Sequence, residues 1–137
     1  MEEIYQRTVK LFHAADCMVA CRDKILIYRK ALASFKQIED YKDSKHYCRE
    51  CRKRAKQTRL DIKANAYEAA LKKLSNAKNT RDCDVAEEQF RALEDYQDSP
   101  NMAEKCLQLK EKFEKKIIRG NMMRVMIAVF VVVLFIS

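Results

Sequence analysis

The hexapeptide Glu39-Asp-Tyr-Lys-Asp-Ser44 returns 55 residues later as Glu94-Asp-Tyr-Gln-Asp-Ser99, and the match extends beyond it. Ala31 pairs with Ala86, Phe35 with Phe90, Ile38 with Leu93 and Cys51 with Cys106. A duplicated pattern of this length sets the architecture, because each copy has to be one supersecondary unit. The chain also holds one Gly and one Pro in 137 residues. A sheet needs turn residues at every reversal, so the expected units are helical.

The helical period is legible between the copies. Ile4, Tyr5, Thr8, Leu11, Phe12 and Ala15 form one stripe over about 3–15, and Asp16 is placed to cap a second helix. Cys17, Cys21, Ile25, Tyr28, Leu32 and Phe35 step by three or four along that helix, which ends near Ile38. From Tyr47 through Cys51, Ala55, Thr58, Ile62, Ala66 and Ala70 to Leu74 a third stripe is unbroken, predicting one long helix over about 44–78. A shorter helix is expected over about 84–94, and a final helix from Ser99 onward that runs into Val125 to Ile136. Proline is favoured at the first helical position, so Ser99-Pro100 reads as N-cap and N1. Ser44 inherits the cap by the repeat, Asp43 and Asp98 favour the positive end of the helix dipole, and Tyr41 and Tyr96 pack the turn.

With those residues in view, the chain resembles bacterial tetratricopeptide-like helical repeat proteins with a recurrent Tyr-Lys-Asp-Ser turn. Tyr67/Ala70, Ala31/Phe35/Tyr41/Asp43/Ser44 and Ala86/Phe90/Tyr96/Asp98/Ser99 carry the resemblance, which covers most of residues 1–110. Where that family has Gly before Asp-Tyr, this chain has Glu39 and Glu94. The resemblance implies an antiparallel helical stack used as a scaffold, often attached to a membrane segment, and implies no catalytic residues.

The expected organisation is all-α, about five helices. A repeat domain spans 1–116, in units of about 3–66 and 67–116, and 117–137 is a C-terminal transmembrane helix or anchor. Val125 to Ile136 is an unbroken apolar run. At 1.5 Å per residue it reaches only about 18 Å, but counting from Ile117 gives about 31 Å, close to a bilayer core. Lys110, Lys112, Lys115, Lys116, Arg119 and Arg124 precede the core of the run, which favours a cytoplasmic N-terminal side. The chain stops just where a span would finish, which allows for an extracytoplasmic part beyond it. The acidic N-terminus lacks the apolar core of a signal peptide.

Among candidate chemical groups, Cys17, Cys21, Cys48 and Cys51 have spacings that zinc could use, with His13 and His46 nearby. The favoured reading is structural, because Cys17, Cys21 and Cys51 fall on apolar stripes, where cysteine acts as a small hydrophobe. Lys45 to Lys63 holds eight basic and two acidic residues, and the net charge of +8 permits nucleic acid or anionic surfaces as partners. No nucleophile–base pairing or phosphate loop is present in the sequence, so neither an enzyme nor a cofactor is expected. The expectation is a non-catalytic, membrane-anchored scaffold for protein–protein interaction at the cytoplasmic face. The alternative is a soluble basic helical module that binds nucleic acid or anionic surfaces and oligomerises through its apolar tail.

Overall fold

The structure, a computed structural model, describes residues 1–136; Ser137, the last residue of the expected anchor, lies outside them. The fold is all-α. Five helices follow in order: α1 (Glu2–Asp16), α2 (Arg22–Gln37), α3 (Ser44–Ser75), α4 (Thr80–Arg91) and α5 (Ser99–Ile136). Among the described residues there is no strand. The chain divides into two compact units, Met1–Asn65 and Ala66–Ser137, with α3 contributing to both.

In the first unit α1 and α2 are antiparallel. Tyr5 near the start of α1 meets Phe35 near the end of α2, and Phe12 meets Tyr28 further back. Ala15 and Ala31 are fully buried, which lets the helices approach closely, and Cys48, Cys51 and Ala55 bring the first half of α3 onto the same core. Tyr47 stacks on Phe35 with 4.8 Å between centroids and 8° between planes.

The second unit repeats the scheme with smaller side chains. Tyr67, Ala70, Ala86, Phe90, Leu93, Met102, Ala103 and Cys106 form its core. Lys73 reaches Asp82 at 3.0 Å and Lys110 reaches Asp84 at 2.7 Å, which fixes α4 antiparallel to both its neighbours.

Two helix starts differ from the sequence expectation. α1 runs to Asp16, and Cys17 to Cys21 form the reversal, so α2 begins at Arg22 rather than just after Asp16. Cys17 is therefore exposed and Cys21 half-buried, off the apolar stripe assigned to them. Asp16 is not a cap: its carboxylate accepts from the Tyr28 hydroxyl and from Arg54 at 2.8 Å. α4 starts at Thr80, earlier than expected, because Asn79 caps it. The Asn79 side chain accepts from the Asp82 amide at 2.9 Å, and Asp82 in turn accepts from the Lys78 amide at 3.0 Å. This is a reciprocal arrangement of the capping-box kind, written in the sequence as Asn79-x-x-Asp82.

Candidate functional site

The duplicated turn keeps the same four backbone hydrogen bonds in both copies. Ile38 N–H donates to Phe35 C=O as Leu93 does to Phe90, and Tyr41 donates to Ile38 as Tyr96 does to Leu93. Ser44 donates to Tyr41 as Ser99 does to Tyr96, and Tyr47 to Asp43 as Met102 does to Asp98. The residue between Tyr and Asp is left-handed in each, Lys42 at φ 47° and Gln97 at φ 51°. A left-handed side-chain-bearing residue costs about 1–2 kcal/mol, so the surrounding contacts have to impose it. Glu94 is left-handed too, at φ 53°, where the resembled family has glycine; Glu39 is not.

An aromatic corner is what imposes the turn. Tyr5 stands edge-on to Phe35 and Tyr41, at 6.3 and 5.8 Å between centroids. Tyr67 stands edge-on to Phe90 and Tyr96, at 5.7 and 5.9 Å. Each edge-on pair adds about 0.5–1.5 kcal/mol beyond its buried area. Tyr41 and Tyr96 are half-buried rims of these corners rather than sealed plugs.

The serines do not cap as expected. The first intrahelical bonds of α3 and α5 go to the carbonyls of Asp43 and Asp98, so those residues hold the N-cap position and Ser44 and Ser99 are the first helical residues. Pro100 consequently sits at the second position. Ser99 Oγ is fully buried and donates to the Tyr96 carbonyl at 2.6 Å instead of accepting from a first-turn amide. Ser44 is equally buried, and among the described residues its hydroxyl has no partner. The side chain of Asp98 serves the corner, accepting from the Tyr67 hydroxyl; that bond and burial push Tyr67 up to about 12.

At the first copy the start of α1 is clasped to the turn. Glu2 accepts from Gln6, Lys42 and Tyr41, with Lys42 Nζ at 2.6 Å. These donors hold the Glu2 carboxyl down at about 2.

The cysteines are not gathered. Among the described residues no group of three or more His, Cys, Asp or Glu could hold a metal ion, and Cys17 and Cys21 lie in the α1–α2 reversal while Cys48 and Cys51 are buried. Burial pushes Cys51 up to about 12 and Cys106 up to about 11, and raises Cys48 and Cys83. A thiol held so far above neutrality is a poor nucleophile and a poor metal ligand. His13 and His46 are exposed and lie edge-on to Tyr47 at 6.5 and 5.8 Å.

The basic residues at the far end are all exposed: Lys112, Lys115, Lys116, Arg119 and Arg124. Among the described residues only Lys115 of these lies within ion-pair distance of a carboxylate, Glu111 at 3.7 Å one turn back. Beyond them α5 continues without a break, and every residue from Glu114 to Phe135 is exposed. The helix is long and apolar enough to cross a membrane, and none of its apolar window is buried. Compared with protein-family models, with curated proteins and with solved structures, the chain finds no match.

Proposed function

We propose that this chain is a non-catalytic, membrane-anchored helical-repeat scaffold, with its helical units on the cytoplasmic side and a protein as partner. The observation that carries this reading is the end of α5. Val125 to Phe135 is apolar on every side and exposed on every side, so a core role within this chain leaves it no surface to pack on. Ile117 to Ile136 spans about 30 Å as helix, the thickness of a bilayer core. Arg119 and Arg124 have stems long enough to carry their charges toward the headgroups. The lysines before them favour the cytoplasmic side. An oligomerising tail on a soluble basic module would instead want an apolar stripe beside a polar face, and this segment has no polar face past Arg124.

Alkaline carbonate treatment of membranes from expressing cells should leave the protein in the pellet, with detergent releasing it. Release by carbonate alone would sink the anchor. Protease added from the cytoplasmic side should digest residues 1–116, and protection of that region would reverse the topology.

A further inference from the structure

A groove between α2 and α3 in the first unit has a floor of Tyr28, Leu32 and Ala55 and a rim of three guanidinium groups, Arg29, Arg52 and Arg59. Among the described residues no carboxylate lies within ion-pair distance of any of the three. Other basic residues of α3 are committed, Lys45 to Asp40 and Arg54 to Asp16 and Glu50.

The fold does not need this cluster. The positions 55 residues on from Arg29, Arg52 and Arg59 are Asp84, Leu107 and Glu114. The second unit packs the same helix pair with those residues in place. Three unpaired like charges around one groove repel each other, so the first unit carries a feature that its packing does not require.

We propose that this groove binds an acidic segment of the scaffold's protein partner, seating one apolar side chain on the floor between carboxylates held by the arginines. The inference rests on the scaffold reading above. The cavity is about 220 Å³, below the roughly 300–1,000 Å³ of pockets that enclose whole small molecules, so it suits one side chain. All three rim cations are arginine, whose planar fork pairs with a carboxylate through two parallel bonds. A flat lipid surface attracts scattered charge without needing a recessed apolar floor.

The probe is a fluorescein-labelled peptide, Asp-Glu-Glu-Leu-Glu-Asp, titrated against the whole 137-residue chain in neutral detergent micelles. Saturable binding is expected, weakened at least tenfold by the triple change Arg29→Gln, Arg52→Gln and Arg59→Gln. Lys112→Gln, Lys115→Gln and Lys116→Gln remove the same charge elsewhere and should change it at most twofold. Arg→Lys at the three rim positions keeps the charge and should still cost at least threefold. Replacing the peptide leucine by serine should weaken binding about tenfold. Equal loss in the two glutamine variants, or no saturable binding, overturns the proposal. Displacement of the peptide by short-chain phosphatidylglycerol at a lower concentration than by unlabelled peptide would also overturn it, reassigning the groove to lipid. Carbonate extraction is read on the same cells, so failure of the anchor and failure of the groove are separate results.

Discussion

Ser44 and Ser99 hold the same place in the two turns, and both are fully buried, yet among the described residues only Ser99 has a partner for its hydroxyl. The two should therefore respond differently to removal of the oxygen. Ser99→Ala loses a hydrogen bond worth about 0.5–1.5 kcal/mol, whereas Ser44→Ala removes an unpaired buried group and should be neutral or stabilising. Denaturant midpoints of the two variants check this, and equal losses would contradict it. Glu2 gives the second test at this scale. Its carboxyl, normally near 4.5, is held at about 2 by Gln6, Lys42 and Tyr41. A carboxyl depressed on folding stabilises the folded state above its unfolded value and stops doing so as pH falls through the folded one. The stability gap between the native chain and Glu2→Gln should thus be full above about pH 5 and close as pH drops toward 2. A gap independent of pH would show that the clasp carries no charge dependence.

At the scale of elements, the stripes of Phe35 and Cys51 were legible in the sequence because burial on a helix imposes the 3.6-residue period, whereas further along α3 the stripe placed Ala66 inward and it is Tyr67 that is buried. The α1–α2 reversal was not. Cys17 and Cys21 keep helical spacing with Ile25, and neither Gly nor Pro marks the break. The left-handed Lys42 and Gln97 were hidden for a similar reason, since packing of the tyrosine corners overrides a residue preference that points elsewhere. The arginine groove needs two helices brought together, which no single stripe can reveal. Thiol labelling separates the elements experimentally. In folded protein Cys17 and Cys21 should react first, because they lie in the reversal. Cys51 and Cys106 should react only with unfolding, since burial holds them near 12 and 11. Labelling of all six at one rate would mean that the two cores are open.

For the whole molecule, the division of labour follows the charge and apolar content along the chain. The helical units carry the ion pairs and the aromatic corners, and the last stretch of α5 is apolar and exposed. A charge placed in the middle of that stretch tests its role. Val129→Lys with Val132→Asp introduces two residues that each cost about 2.5–3.5 kcal/mol at the centre of a membrane helix. The doubly charged chain should shift to the carbonate-soluble fraction while its first unit keeps its thermal transition. Unchanged retention in the pellet would argue against a span.

The unbroken course of α5 also has a mechanical consequence. Ser99 to Lys116 packs or flanks the second unit, and the same helix becomes the apolar segment with no turn between. Gly120 is the only glycine, the space around it is open, and the helix passes through it without a break. Membrane helices tilt by about 20° on average and by different amounts in bilayers of different thickness. On the proposed reading of α5 as a span, the arm from Lys116 back to Ser99 is about 27 Å long, so such a tilt swings its far end sideways by about 9 Å. Bilayer thickness would then act on the second unit as a lever, moving α4 and its partners without breaking a single contact inside them.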